Sequence, residues 1–102
     1  PRVAEAALLN PRLRETDLVD ALRQAEASAR LIQAVAASPR WSERYAVRLA
    51  LVLQPRTPLA VALAQVSSLV KGDLLRVVET RGVRPLVQAA AAAVLERLAE
   101  SS

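Results

Sequence analysis

Residues 38–58 read SPRWSERYAVRLALVLQPRTP, a strongly apolar helix expected over Ser42–Leu53 and bracketed by two Pro-Arg turns. A residue ahead of Pro is pushed out of the α region, so both turns interrupt helices. Inside the helix, Val47, Ala50 and Leu51 form one apolar ridge, and Ala46, Leu49 and Leu53 form another. So wide an apolar arc needs neighbours on both sides, as for the inner helix of a layered stack. The stretch also holds the only Trp and the only Tyr, and it carries Arg40, Arg44 and Arg48 four residues apart.

Working outward towards the start, Asn10-Pro11-Arg12 breaks an opening segment of helical turns over Pro1–Leu9. A helix then starts at Glu15 or Thr16, with Leu18, Val19, Leu22 and Ala25 at helical spacing. Asp17 and Asp20 in its first turns complement the helix dipole. No Pro or Gly interrupts Ala25–Ala29, so residues 16–37 read as one helix or as two. The two-helix reading uses Ser28 as a cap and turns Leu31, Ile32 and Val35 inward.

Towards the other end, Thr57 is expected to cap a helix with Pro58 in its first turn. That helix runs to about Val70, with Leu59, Leu63, Val66 and Val70 inward. Lys71-Gly72-Asp73 reads as a stop, with Gly72 in a left-handed position after the helix. A short helix follows from Leu74 to about Glu79, then a turn at Arg81-Gly82-Val83-Arg84. The last helix, Pro85 to about Glu100, has a broad apolar face from Leu86 to Leu98 and a frayed Ser101-Ser102 end.

The 102 residues fit one helical-repeat domain over 1–102, and 53% of them are apolar. A chain of this size buries roughly 60–70% of its unfolded surface. With no Phe and no Met, the core is built from Leu, Val and Ala, whose small side chains let helices approach closely. The class is all-α, a compact stack of about six to seven short antiparallel helices. No apolar run reaches the ~18–20 residues that cross a bilayer, so no membrane insertion is expected. Absence of Cys and of a basic-then-apolar leader fits a cytoplasmic protein. Starting at Pro1 without an initiator Met, the chain is expected to be a piece of something longer.

Catalysis has little to work with. There is no His and no Cys, which removes the commonest general base, nucleophile and soft metal ligands. Gly72 and Gly82 stand alone, so no phosphate-cradling loop exists. Asp17 and Asp20 fall short of the oxygen ligands a hard cation needs. The expectation is a non-enzymatic protein with no cofactor and no metal site.

The recurring device is an x-Pro-Arg turn followed by a helix, at Asn10-Pro11-Arg12, Ser38-Pro39-Arg40 and Gln54-Pro55-Arg56. Arg81-Gly82-Val83-Arg84 reads as a degenerate fourth copy, and spacings of 28 and 16 exclude a strict period. In these turns, and in Gln54-Pro55-Arg56-Thr57-Pro58 above all, the chain resembles the HEAT-like and leucine-rich-repeat-variant α-solenoids. That resemblance implies a right-handed stack of antiparallel helices that binds a macromolecule as a scaffold or regulatory module.

The candidate partner-binding residues are Arg40 and Trp41 just before the central helix, Arg44, Tyr45 and Arg48 on it, and Arg56 in the turn after it. Trp, Tyr and Arg are enriched at interface hot spots, and Arg stacks on aromatic rings. The structural alternative has Trp41 capping the core at a helix end with Tyr45 beside it. A net charge of +4, from 13 Arg, one Lys and ten acids, favours another protein with an acidic surface. The alternative function is an anion-directed module binding nucleic acid or a phosphorylated ligand, with Arg12, Arg81 and Arg84 joining the turn arginines. Few aromatics and interspersed acids make nucleic acid the weaker partner. A homo-oligomer through Leu86–Leu98 is a third expectation.

Overall fold

A computed structural model describes residues 8–101. Seven α-helices and no strand lie among them: α1 Glu15–Leu22, α2 Ala29–Ala37, α3 Pro39–Ser42, α4 Tyr45–Leu53, α5 Leu59–Val66, α6 Lys71–Glu79 and α7 Pro85–Ser101. Of the opening turns expected over Pro1–Leu9, all but Leu8 and Leu9 lie outside the described residues, as does Ser102.

Residues 15–37 form two helices, and the break is where Ser28 stands: its hydroxyl accepts the Leu31 N–H at 3.1 Å. Three helix pairs result, α1/α2, α4/α5 and α6/α7. First helices begin at residues 15, 45 and 71 and second helices at 29, 59 and 85, so each pair has the same offset of 14. The turns within the first two pairs are built alike. The Ala27 and Thr57 N–H groups donate to the Gln24 and Gln54 carbonyls at 3.1 Å, and Leu13 does the same to Asn10 ahead of α1. The residue two before each second helix, Ala27, Thr57 or Val83, is buried and fixes the angle of entry.

The x-Pro-Arg turns separate into two kinds. At Asn10 and Gln54 the side-chain carbonyl accepts the N–H of Arg12 (2.9 Å) or Arg56 (3.0 Å), so each amide side chain folds its own turn. Ser38-Pro39-Arg40 instead starts α3, with Ser38 at the cap and Pro39 in the first turn. The central helix is therefore not continuous from Ser42: α3 ends at Ser42 with Glu43 as its cap, Arg44 is extended (ψ 131°), and α4 starts at Tyr45. The four residues of α3 are also why the first and second pairs begin 30 residues apart and the second and third 26.

Three further expectations are corrected. Gly72 lies inside the first turn of α6, and Gly82 (φ 90°) is the glycine in the left-handed region. α5 stops at Val66, so Leu69 is buried while Val70 (59%) and Leu63 (38%) are exposed. Pro58, not Thr57, occupies the cap of α5, and the Thr57 hydroxyl is buried without a hydrogen-bond partner.

α1, α4 and α6 run side by side in one direction. Their N-termini are joined by Arg44–Glu15 (3.3 Å) and by Tyr45 to Asp73 and Val70. At their other ends the buried Gln54 amide donates to the carbonyls of Leu22 (2.6 Å) and Gln24 (2.9 Å). Gln88 of α7 likewise donates to the Val77, Val78 and Thr80 carbonyls at 2.9–3.3 Å. Leu22, Val77 and Val78 stand in the last turns of α1 and α6, so both amides satisfy helix-end carbonyls that have no partner within their own helix. The core divides in two at α4: Val47, Ala50 and Leu51 pack with Leu18, Leu22, Ile32, Val35 and Trp41, while Val52 packs with Val66, Leu74, Val77 and Val87. Leu49 and Leu53 join the second group, so the two apolar ridges of α4 do face different neighbours. The Cα radius of gyration is 13.8 Å, and the molecule extends 44 × 23 × 19 Å.

Candidate interaction surface

At the N-terminal edge of the α1–α4–α6 row, Trp41 is buried (1% exposed) and its indole Nε1 donates to the Leu8 carbonyl at 3.1 Å. The guanidinium carbons of Arg40 and Arg44 sit 4.7 and 4.9 Å from the centroid of its ring. Arg44 also pairs with Glu15, and the Arg48 Nε donates to the Ser42 carbonyl at 3.1 Å, holding the end of α3. The Tyr45 hydroxyl donates to Asp73 Oδ2 at 2.6 Å and accepts the Val70 N–H at 2.9 Å. Its pKa is raised above the ordinary value of 10.0, by partial burial first and then by the hydrogen bond to Asp73. These five residues are thus brought together, but each has work to do inside the fold. Arg40 and Arg44 remain exposed.

Arg56 lies at the opposite edge, where its guanidinium donates to the Ala27 carbonyl at 3.4 Å. Arg81 and Arg84 are exposed in the turn after α6 at this same edge, whereas Arg12 precedes α1 at the other. The turn arginines therefore divide between two edges and do not line one rail. At the far side of α7, Leu86 (63%) and Leu98 (43%) are exposed.

The open surface of the row holds a feature absent from the sequence expectations. A groove of about 260 Å3 lies over α4, with Val19 and Arg23 on one wall, Ala46, Leu49, Ala50 and Leu53 as floor, and Arg76 and Thr80 on the other wall. A second hollow continues it past Gln24, Gln54 and Pro55 at the C-terminal edge. Arg23 and Arg76 are exposed, and no carboxylate lines the groove among the described residues. Arg23 and Arg76 are 53 residues apart, and only alignment of the helix pairs puts α1 and α6 on either side of α4. Among the described residues no helix is long and apolar enough to cross a membrane.

Compared with protein-family models, curated proteins and solved structures, the chain matches none.

Proposed function

We propose that this chain is a non-enzymatic protein–protein interaction module, a HEAT-like stack of helix pairs serving a scaffolding or regulatory role. The observation that carries this reading is the constant 14-residue offset within three successive pairs. Repeated pairs stack on nearest neighbours, and the first helices of such a stack form a continuous outer surface suited to a macromolecular partner. The groove over α4 and the exposed Arg40 and Arg44 are the features of that surface that favour a protein with acidic character.

Photo-crosslinking tests the proposal. A crosslinking residue placed in turn at Arg40, Ala46 and Arg84 is exposed to native lysate. The module reading expects one defined protein band from at least one position, reproducible at moderate salt. No band above that of an unrelated helical protein at any of the three positions removes it.

One observation favours the anion-directed alternative: Arg81 and Arg84 share one turn, and their side chains have no hydrogen bond or ion pair among the described residues. A phosphate ligand held there would lose affinity steeply between low and moderate salt, whereas an apolar-centred interface would respond little.

A further inference from the structure

We infer that the groove over α4 is the docking site for an acidic amphipathic helical segment of a partner protein. Apolar residues of the segment would lie on Leu49 and Leu53, and its carboxylates would meet Arg23 and Arg76. This rests on the interaction-module reading and adds to it the chemistry of the partner.

Ala46, Leu49 and Leu53 are only partly covered although they sit mid-row on a strongly apolar helix. A face that pairs apolar floor with charged walls marks a recognition surface more than a solvated one. The two walls carry cations of one sign. Arg23 has no ion pair among the described residues, and the nearest carboxylate to Arg76 is Asp73 at 4.0 Å, with the Arg76 side chain 61% exposed. So long and exposed a pair contributes little, which leaves both guanidinium groups available to a ligand.

A competing account has both arginines merely complementing the C-terminal dipole ends of α1 and α6. That accounts for their sign but not for the apolar floor between them. The floor from Ala46 to Leu53 spans about 10 Å at 1.5 Å per residue, close to two helical turns. It therefore suits apolar residues spaced i, i+4, i+7 on a guest helix, with acids on both flanks to reach the two walls. A nucleic acid fits this groove poorly, because no aromatic side chain lines it for base stacking.

The test uses the 102-residue chain, isotopically labelled for amide NMR, and two synthetic helical peptides. Both carry leucines at i, i+4 and i+7; one has glutamate on the flanks and the other lysine. The glutamate peptide is expected to shift the amides of Arg23, Leu49, Leu53 and Arg76 and to bind about tenfold or more tightly than the lysine peptide at low salt. The Arg23→Glu/Arg76→Glu variant changes two exposed side chains and is expected to keep its helical circular dichroism while reversing the preference. Equal affinity for the two peptides, or a variant that keeps the original preference, overturns the inference. So do shifts that map to the Trp41 edge or to α7, amide shifts that depend on protein concentration without peptide, or displacement by duplex DNA. If the peptides fail while crosslinks to a defined protein persist from Arg40 or Arg84, the module reading stands and only the groove assignment falls.

Discussion

The Tyr45 hydroxyl donates to Asp73 Oδ2 at 2.6 Å and accepts the Val70 N–H at 2.9 Å. One side chain at the start of α4 thereby satisfies an N–H and a carboxylate at the start of α6. It is the cross-pair tie between the second and third helix pairs at that edge, as Arg44–Glu15 is between the first and second.

Tyr45→Phe removes both bonds without removing the ring. The cost expected is about 1 kcal/mol, because the side chain is partly exposed and water replaces some of what is lost. The pH dependence has a definite sign. The folded state holds the phenol above its ordinary pKa of 10.0, so this stabilisation is complete below pH 10 and is lost as pH climbs through the folded value. Urea unfolding at pH 8 and pH 11 checks this: wild type should lose more stability than Tyr45→Phe across that interval. Parallel losses would show that the phenol is not responsible.

Gln54 is 4% exposed and its amide serves two carbonyls of the preceding pair. Gln54→Ala strands the buried Leu22 carbonyl, leaves the Gln24 carbonyl with the Ala27 N–H alone and opens a small cavity, for an expected cost of about 2 kcal/mol. Gln88→Ala, at a more accessible position, should cost about 1–2 kcal/mol. Denaturant midpoints at constant slope would report both values. A Gln54→Ala variant as stable as wild type would mean that water takes over the capping.

Thr57 presents the opposite case. Its hydroxyl is buried with no partner, and the matching positions in the other pairs are Ala27 and Val83. Thr57→Val keeps the shape and removes an unsatisfied polar atom, so stability should rise by up to about 1 kcal/mol. For a domain of this size that is about 4–8 °C in Tm. A lowered Tm would reveal a bonded hydroxyl.

The two glycines should respond in opposite directions to Ala. Gly72 lies within α6 with open space around the added methyl, so Gly72→Ala should stabilise by about 0.5–1 kcal/mol. Gly82 holds φ 90° in the turn before α7, so Gly82→Ala should destabilise by about 1 kcal/mol despite equally open space. Thermal melts of the two variants, side by side, decide the matter.

Much of the fold was legible because it was written in local chemistry. The Pro residues at 11, 55 and 85 mark real boundaries, and the two ridges of α4 predict its two neighbours. Ser28 was readable as a cap, though the run around it contains no breaker. What escaped has physical reasons. The break between α3 and α4 falls at Glu43-Arg44, residues equally content in a helix, beside a Trp41 held by the remote Leu8 carbonyl, a tertiary contact with no local signal. Gly72 follows a one-turn connection at Ser67–Leu69 that lacks both Pro and Gly, so the only glycine nearby reads as the stop.

The candidate site was less legible than the fold. In the sequence Arg44, Tyr45 and Arg48 read as a surface stripe, and each instead holds together chain segments remote in sequence or adjacent helices. The pairing of Arg23 with Arg76 across α4 depends on tertiary alignment, for which neither residue carries a local signal.

The position of α4 in both halves of the core has a consequence for how the molecule comes apart. Stacked repeats can unravel from one end, each pair melting on its own schedule. Here Leu51 and Val52, adjacent in the chain, belong to different halves, so loss of either half strips one face of the same nine-residue helix. Such a helix is too short to persist alone in water. Unfolding is therefore expected to be all-or-none: fluorescence of the lone Trp41 in the first half should trace the same transition as amide exchange in α7, at the far end of the second.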